Sequence, residues 1–338
     1  MKSYTITSND ADQRLDKFLK KLLPNASLSY IYKLSRKWNI KVITLEWKKT
    51  KQDKDYKLLE WEKVQIFLND DDIWELQKVE KKHAEIQSYQ KLKKSDIAFE
   101  DESLLIVNKS SGMNVHPADH KSEEVSLIEQ VEDYYAWKLN SLTFKPSLIH
   151  RIDRDTSGVV MIAKQKQVLT RLSSDFKNHT NLTKTYYCLV VWKVSRPKGT
   201  IKKKLKRIEN AKNENKVQIS ESWLEAISHY TVLKEHHVNL PAGKQILTSV
   251  EVTIETWRMH QIRVHMAALW NPILWDKSYG DKSLNSYFEK YYHIKRQMLH
   301  AWKIEFLHPW RNKKMKVQAK LKRDMQDFIN LLAAKWKS

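Results

Sequence analysis

The stretch 149-IHRIDRDTSGVVMIAK-164 joins a dense cluster of charges to a run of apolar residues. Two arginines, two aspartates and a histidine lie between His150 and Asp155. The residues from Val159 to Ala163 are all apolar, and a short continuous run of this kind is typical of a buried strand. The sequence therefore predicts a cluster of charged side chains at the mouth of a buried strand.

Asp153 is the residue of this cluster that could carry chemistry. It lies between Arg151 and Arg154, and nearby cations favour the ionised form of a carboxyl group. An ionised carboxylate held in this way could act as a nucleophile or as a general base. The alternative is a group of surface ion pairs, which would add little to stability.

A second cluster of candidate residues lies in 257-WRMHQIRVHMAALW-270. Arg263 could pair with a buried carboxylate such as Asp153, or it could belong to a basic helix face that packs over the core. His260 and His265 are five residues apart, which differs from the i, i+4 spacing of a zinc-binding pair on a helix. We therefore predict no metal site here.

The third candidate segment is 184-KTYYCLV-190, which has the composition of a strand. Successive side chains of a strand point to opposite faces, so Tyr186 and Tyr187 cannot both face the same side. A tyrosine close to a catalytic carboxylate can stack on a nucleic-acid base. The alternative is that both are ordinary core tyrosines.

The composition indicates a protein that binds a polyanion and folds around ordinary hydrophobic cores. The 338 residues carry a net charge of +21 and 41% of them are hydrophobic, so we expect a folded protein whose partner is nucleic acid. No apolar run reaches the length of about 18 residues that a transmembrane helix needs, and no secretory signal is seen. Cys188 is the single cysteine, which excludes an internal disulfide and favours a cytoplasmic location.

Motifs for several common cofactors are missing from the sequence. It contains no Gly-rich dinucleotide fingerprint, no phosphate-binding loop of the Walker type, and no zinc motif built from paired cysteines or from HExxH. We therefore expect neither a nucleotide cofactor nor a metal.

The chain divides into two predicted domains, and its fold class is α+β. Residues 12–68 form a small module with helical patterns at 14–23 and 28–38, and with strands at 40–43 and 64–68. Its helices carry a basic face that could follow a phosphate backbone, made of Arg14, Lys17, Lys20, Lys21, Lys33, Arg36 and Lys37. A solvated helix face is the alternative. Residues 69–95 are polar and charged, and they are predicted to be a linker that is partly helical.

Residues 96–338 form the larger predicted domain, with a mixed, mainly antiparallel β-sheet and flanking helices. Strands are predicted at 97–100, 104–109, 158–164, 185–191, 227–233, 246–254 and 303–307. Helices are predicted near 125–137, 165–179, 259–269 and 322–335. The basic segment 202-KKKLKR-207 is predicted to be part of a hairpin.

These segments together resemble the RluA-type RNA pseudouridine synthases. The segment 150-HRIDRDTSG-158 resembles the family's HRLDxxTSG motif, and 258-RMHQIRVH-265 resembles its RxHQIRVH motif. Further similarity lies in 106-IVNKSSGMNVHP-117, where Ser110 replaces the usual proline, and in 271-NPILWDKSYGD-281 and 299-LHAWKIEFLHP-309. Residues 12–68 resemble the S4 RNA-binding module that precedes the catalytic domain in many members. The resemblance spans nearly the whole chain.

The resemblance implies an enzyme that converts uridine in RNA to pseudouridine without a metal or cofactor. It implies that Asp153 is the catalytic aspartate, that Tyr186 is the tyrosine of the family's KxY motif, and that Arg263 pairs with the aspartate. The target base must leave its stack, so a basic groove is needed. The expected RNA-binding residues are Arg14, Lys33, Arg36, Lys37, Arg151, Arg154, Arg258 and His260.

The substrate implied by analogy with members that carry an S4 module is large-subunit ribosomal RNA. An alternative is a non-catalytic RNA-binding or ribosome-assembly factor on the same fold. The retention of Asp153, Tyr186 and Arg263 favours the enzyme. We expect a monomer that does not associate with membranes.

The sequence departs from the family pattern at nine tryptophans that lie where glycine or a turn is expected. The chain has 13 tryptophans but only 5 glycines, whereas about 24 glycines would be ordinary for this length. We hypothesise that these nine positions are glycine in the native protein, and that the source reads the codon UGA as glycine. They are Trp38, Trp47, Trp61, Trp192, Trp223, Trp257, Trp270, Trp275 and Trp310. A preference for tryptophan in this lineage is the alternative.

Overall fold

A computed structural model describes residues 1–78, 91–117, 124–135, 141–209, 215–240 and 243–334. The chain divides into two compact units. The first comprises Met1–Lys91, Glu129–Ser147 and Ala163–Thr170, and the second comprises Leu92–Ile128, Leu148–Ile162 and Arg171–Ser338. In the described part of the chain, no helix is both long and apolar enough to cross a membrane.

The first unit contains two helices, a four-stranded sheet and a third short helix. Apolar residues at helical spacing bury one face of each of the first two helices, and Ser27 caps the second by accepting from the N–H of Tyr30. The sheet has the order β1-β4-β2-β3. The elements are β1 (Lys2–Thr5), α1 (Leu15–Leu22), α2 (Leu28–Arg36), β2 (Ile40–Ile43), β3 (Lys49–Thr50), β4 (Lys63–Ile66) and α3 (Asp70–Gln77).

The remaining strands belong to one large sheet. They are β5 (Ile97–Glu100), β6 (Leu104–Lys109), β7 (Ser147–Leu148), β8 (Ser157–Ala163), β9 (Leu182–Val191), β10 (Lys198–Glu209), β11 (Asn215–Ile219), β12 (Leu224–Leu240), β13 (Gly243–Ile254), β14 (Leu299–Leu307) and β15 (Lys314–Gln318). The helices are α4 (Leu127–Tyr135), α5 (Lys166–Asn178), α6 (Gln261–Ala268), α7 (Lys282–Tyr292) and α8 (Arg323–Ala334).

The large sheet is mixed and mainly antiparallel, which confirms the predicted α+β class. Its strand order is β11-β10-β12-β13-β9-β14-β8-β6-β5, with β15 paired to β14 and β7 paired to β8. Strand β8 runs parallel to β14, whereas β9 runs antiparallel to both β13 and β14. Every residue of β8 is buried, as expected for a central strand with an unbroken apolar sequence.

Most predicted elements are present, with ends that differ by a few residues. Strands β2, β5 and β6 have the predicted bounds, and α5 and α8 lie within one residue of theirs. The basic segment 202–207 lies in β10, which pairs with β11 as a hairpin whose connection lies outside the described residues. The sequence did not predict β1, β3, β7, β11, β15 or α7.

The predicted linker at 69–95 is partly helical. Residues 70–77 form α3, and the side chain of Ile73 in this helix is fully buried in the hydrophobic core of the first unit. Residues 79–90 of this linker lie outside the described residues. The described remainder includes one 3-10 turn, Lys94–Asp96, immediately before β5.

Candidate active site

Asp153 lies in the loop that leads into β8, and hydrogen bonds from Lys109 and Gly112 hold the backbone next to it. The ammonium of Lys109 donates to the backbone oxygens of Ser110, Met113 and Arg154 at 2.8, 2.9 and 2.8 Å. The N–H of Gly112 donates to the same oxygen of Arg154 at 3.0 Å, from a left-handed conformation that suits glycine. The residue that follows Asp153 is therefore fixed by two donors.

The TSG sequence after the loop has a structural explanation. Gly158 has a φ of 114°, and a Cβ atom there would lie 2.2 Å from the backbone oxygen of Ala301 on the neighbouring strand β14. Ser157 forms a hydrogen bond with Nδ1 of His300 at 2.8 Å, and Thr156 accepts one from Gln297 at 2.7 Å. These contacts fix the start of β8, and with it the position of Asp153.

The carboxylate of Asp153 is paired with Arg263, as the sequence predicted it could be. Nη1 of Arg263 donates to Oδ2 of Asp153 at 3.1 Å, and the arginine side chain is 8% exposed while the aspartate is 30% exposed. Arg263 also binds Asp276 through two parallel hydrogen bonds, from Nε to Oδ2 at 2.7 Å and from Nη2 to Oδ1 at 2.9 Å. One buried guanidinium therefore bridges two carboxylates.

Charge pairing keeps Arg263 ionised in this buried place. Burial by itself lowers the pKa of Arg263, but the hydrogen bonds and charge of Asp276, and then the charge of Asp153, raise it above the ordinary value. Burial likewise lowers the pKa of Lys109 to about 7, an effect that the charges of Asp155 and Asp153 oppose. The guanidinium of Arg263 therefore places a positive charge beside the carboxylate of Asp153.

His260 is the second side chain beside Asp153. Its Nε2 lies 3.8 Å from Oδ2 of Asp153, and its Nδ1 lies 3.0 Å from the hydroxyl of Tyr279. Burial lowers the pKa of His260, the charge of Asp153 raises it, and the net change is downward from the ordinary value. His260 has a φ of 55°, a left-handed conformation that is often found at functional sites in residues other than glycine.

The turn before α6 explains much of the RMHQIRVH sequence. Gln261 accepts hydrogen bonds from the N–H of Arg258 and from Thr256, and its amide donates to the backbone oxygen of Ile227 on β12. His265 is fully buried, and its Nδ1 lies 2.9 Å from the hydroxyl of Ser228, also on β12. The glutamine and the second histidine therefore dock the helix that carries Arg263.

Tyr186 and Tyr187 point to opposite faces of β9, as the alternation of a strand requires. Tyr187 bonds to the hydroxyl of Ser249 at 2.6 Å within the core. Tyr186 is 8% exposed, and its pKa is raised by burial and, to a smaller extent, by the charge of Asp153. Of the two tyrosines, Tyr186 is thus the one whose pKa is raised by the charge of Asp153.

The predicted RNA-binding residues lie on both units. In the second unit, Arg151 is exposed, Arg154 pairs with Glu124 at 3.1 Å, and Arg258 donates to the backbone oxygen of Glu225. In the first unit, Lys33, Arg36 and Lys37 are exposed at the end of α2, whereas Arg14 pairs with Asp16 at 2.8 Å. The RNA-binding roles of these residues stay predictions.

Sequence reasoning missed three side chains of this site: Lys109, Asp276 and Tyr279. All three lie in segments that resemble the family, but none of them has a local pattern that indicates its partner. Asp276 is fully buried, and its partner Arg263 is 13 residues away in the chain. Within the described residues, no group of three histidine, cysteine, aspartate or glutamate side chains could hold a metal ion.

The fold and the site together are those of an enzyme that acts on RNA. Residues 103–268 match the family model described as RNA pseudouridylate synthase. The ribosomal large subunit pseudouridine synthase C of Buchnera aphidicola subsp. Schizaphis graminum (strain Sg) is 33% identical over 97% of this chain and 96% of the relative. The chain therefore belongs to the RNA pseudouridylate synthase family.

Other relatives agree with this assignment. The ribosomal large subunit pseudouridine synthase C of Vibrio cholerae serotype O1 (strain ATCC 39315 / El Tor Inaba N16961) is 30% identical over 96% of this chain and 94% of the relative. The solved structure of human RNA Pseudouridylate Synthase Domain Containing 1 has the same fold, with a TM-score of 0.53 and 21% identity. That likeness covers 72% of this chain and 98% of the human chain.

Proposed function

We propose that this RNA pseudouridine synthase isomerises specific uridines of large-subunit ribosomal RNA, with Asp153 as its catalytic carboxylate. The observation that carries the proposal is the 3.1 Å contact between Oδ2 of Asp153 and the buried guanidinium of Arg263. The names of the relatives, ribosomal large subunit pseudouridine synthase C, support the choice of RNA.

The reaction breaks the N1–C1′ glycosidic bond, turns the uracil, and joins its C5 to C1′. The proton on C5 is lost and N1 gains one, so the product is an isomer of the substrate. An ionised Asp153 can begin this by attacking C1′ or by removing the 2′ proton. Arg263 holds the carboxylate in one orientation through its hydrogen bond in either case.

Tyr186 is proposed to pack on the uracil and to help remove the C5 proton. The base must leave its stack to reach Asp153, and the basic side chains would bind the phosphates around it. These are Arg151, Arg154, Arg258 and His260 in the larger domain and Arg14, Lys33, Arg36 and Lys37 in an S4-like module at residues 12–68. We propose that the enzyme acts as a cytoplasmic monomer without a cofactor.

A non-catalytic RNA-binding or ribosome-assembly factor is the second candidate. It is favoured by the tryptophans at predicted glycine positions, provided that they are present in the native protein. The two candidates differ in one measurable way. An enzyme with Asp153→Asn loses turnover but keeps its affinity for RNA, whereas a binding factor has no turnover in either form and keeps its affinity for RNA.

The test is the release of tritium from large-subunit ribosomal RNA that is labelled at C5 of uridine. The protein with glycine at the nine tryptophan positions is assayed beside the chain as printed, and Asp153→Asn is the control. We expect release that disappears in the control while binding of the same RNA remains. Binding without release, on both free RNA and an assembling ribosomal particle, would contradict the enzyme and support the binding factor.

A further inference from the structure

Asp276 has no assigned part in the reaction, yet its charged side chain is buried against Arg263, the partner of Asp153. It is 0% exposed, and both of its oxygens are occupied by Arg263. Oδ1 also accepts the backbone N–H groups of Ser278 and Tyr279 at 2.9 and 3.0 Å. The carboxylate is therefore fully hydrogen-bonded and fixed in one orientation.

The two parallel hydrogen bonds to Asp276 determine where the rest of the Arg263 guanidinium points. A planar guanidinium held by Nε and Nη2 cannot rotate, so Nη1 must project along one direction. That direction leads to Oδ2 of Asp153 at 3.1 Å. An arginine bound to Asp153 alone would have no such constraint, because its side chain would be free to turn about that single contact.

The loop around Asp276 is rigid enough to serve as a fixed point. The backbone oxygen of Asp276 accepts from the N–H of Gly280 at 2.9 Å and from the Asn285 amide at 3.1 Å. Asn285 also accepts the N–H of Trp275 at 2.7 Å. A Cβ atom at Gly280 would lie 2.4 Å from the backbone oxygen of Asp276, so the loop closes tightly only with glycine there.

The same loop supplies a second contact to the site. The Tyr279 ring lies against Arg263, with 5.2 Å between the guanidinium carbon and the ring centroid. Its hydroxyl is 3.0 Å from Nδ1 of His260, and it accepts the N–H of Val217 on β11 at 2.8 Å. Asp276 thus anchors, through its own loop, both side chains that approach Asp153.

We infer that Asp276 is a positioning residue for the reaction: it fixes the plane of Arg263, and Arg263 in turn holds the carboxylate of Asp153 in its reactive orientation. This inference rests on the proposed function, because it assigns the orientation of the same catalytic group. It predicts that the loss of Asp276 slows the chemical step and leaves the binding of RNA unchanged.

Asp276→Asn is the test, measured by single-turnover tritium release and by the affinity for the same ribosomal RNA. The new amide group would face the Nε–H donor of Arg263, so the guanidinium must turn away. A displacement of about 1 Å costs about 10²-fold in rate, and we expect a fall of that size with unchanged RNA affinity. A rate equal to that of the wild type would overturn the inference.

The chain offers a matched control in the same unit. Arg296 binds Asp324 through the same two-bond geometry, from Nε at 2.7 Å and from Nη2 at 3.0 Å, and Arg296 is 6% exposed. Asp324→Asn should leave both the single-turnover rate and the RNA affinity unchanged. An equal fall in rate for this variant would show a general effect of broken ion pairs and would overturn the role of Asp276.

Asn285→Ala covers the case in which Asp276→Asn does not fold, since unpairing a buried charge is costly. It removes the side-chain hydrogen bonds on either side of Asp276 and keeps every charge. We expect a smaller fall in the single-turnover rate, again with unchanged RNA affinity. A wild-type rate in this variant would count against the inference.

A spectroscopic readout separates failure of this inference from failure of the proposed function. In protein with ¹⁵N-labelled arginine, the Nε–H and Nη–H signals of a locked guanidinium are protected from exchange. We expect the Arg263 signals to persist in Asp153→Asn and to vanish in Asn285→Ala or Asp276→Asn. Persistence in all variants would refute positioning by Asp276, whereas a wild-type chain without tritium release would refute the proposed function alone.

Discussion

Six of the nine tryptophans that replace expected glycines have a backbone conformation that favours glycine. Their φ angles lie between 60° and 73°, in the left-handed region, where a Cβ atom costs about 1–2 kcal/mol. They are Trp38, Trp47, Trp61, Trp192, Trp270 and Trp275. Trp223, Trp257 and Trp310 do not have a positive φ, and neither do Trp74 and Trp302, which lie in regular elements outside the hypothesis.

The side chains of these tryptophans are as poorly accommodated as their backbones. Trp47, Trp61 and Trp270 are 79%, 71% and 83% exposed, although indole is mostly buried in folded proteins. Trp257 and Trp275, by contrast, have buried indole N–H groups, and these groups have no hydrogen-bond partner. A buried donor without a partner is costly, so both observations favour a residue without a side chain.

The residue identity can be measured on one peptide of the native protein. Trypsin cleaves after Arg263 and Lys277, which releases residues 264–277 with both Trp270 and Trp275. We expect the mass of this peptide, taken from the source organism, to correspond to glycine at both positions, because both have a positive φ. Fragment ions that show tryptophan at the two positions would refute the reassignment of the codon.

At this scale the sequence predicted that Arg263 could pair with Asp153, but it did not predict the contact of Arg263 with Asp276. The aspartate lies between two arginines, and the arginine lies in a distinctive HQIRVH segment, so both are visible in the one-dimensional pattern. The contact of Arg263 with Asp276 depends on how α6 and the following loop fold back on each other. No periodicity or composition encodes that distance.

Two helix ends show why the tryptophan positions matter to whole elements. Helix α2 ends at Arg36, and Trp38 and Asn39 donate to the backbone oxygens of Ser35 and Leu34. Helix α6 ends in the same pattern, with Trp270 donating to Ala267 and Asn271 donating to Met266. Both ends are Schellman motifs, whose left-handed residue is usually glycine.

Trp270→Gly in the chain as printed should therefore stabilise the protein, by about 1 kcal/mol in the free energy of unfolding. The exposed indole gives up little burial, and the left-handed strain is removed. Trp74→Gly is the matched control, since Trp74 is 58% exposed but lies inside α3. Glycine in a helix interior should cost about 0.5–1 kcal/mol. Urea unfolding measures both, and a loss of stability in both variants would contradict the interpretation.

Elements with a strong local pattern were predictable, and those defined by pairing were not. Strand β6 and helix α5 follow directly from their apolar spacing. Strand β11 is short and polar, and it exists because it pairs with β10 across five residue positions. Helix α7 is capped by Asp281, whose side chain accepts a hydrogen bond from the N–H of Leu284. Its tyrosine-rich sequence, however, gives no strong helical pattern.

On the scale of the whole molecule, the α+β class and the family were predictable from motifs spread over most of the chain. No single position in the chain separates the two units, because each unit is made of three segments. Segments 129–147 and 163–170 belong to the first unit although they lie beyond residue 96 in the chain. Composition changes along the sequence cannot reveal such a return of the chain, because each segment is judged only against its neighbours.

The stability of the second unit should fall steeply with acid, because three of its histidines are buried and neutral. Burial lowers the pKa of His236, His265 and His300 to about 4 in each case. An unfolded histidine has a pKa of about 6.5. Between pH 6.5 and about 4 the unfolded chain therefore binds protons that the folded chain does not. Each histidine can lower the free energy of unfolding by up to about 1.4 kcal/mol per pH unit.

Carboxylates act in a lower pH window, so the two effects can be separated. Burial raises the pKa of Asp10 and Asp101, but their hydrogen bonds outweigh it and the net change is downward from 3.8. Carboxylates with a lowered pKa stabilise the folded state above the unfolded pKa, and this stability is lost only as the pH falls below about 4. The window from pH 6.5 to about 4 is thus governed by the histidines.

Urea unfolding at a series of pH values from 7 to 4.5 measures the effect, and His236→Gln tests its cause. His236 is 3% exposed and lies 2.8 Å from the hydroxyl of Ser249, a contact that a glutamine amide can keep. The variant lacks one histidine that takes up a proton on unfolding. The slope of its free energy of unfolding against pH should therefore be smaller than that of the wild type, by up to about 1.4 kcal/mol per pH unit. The same change at the exposed His116 is the control. Equal slopes for the wild type and His236→Gln would show that proton uptake by buried histidines does not drive the acid sensitivity.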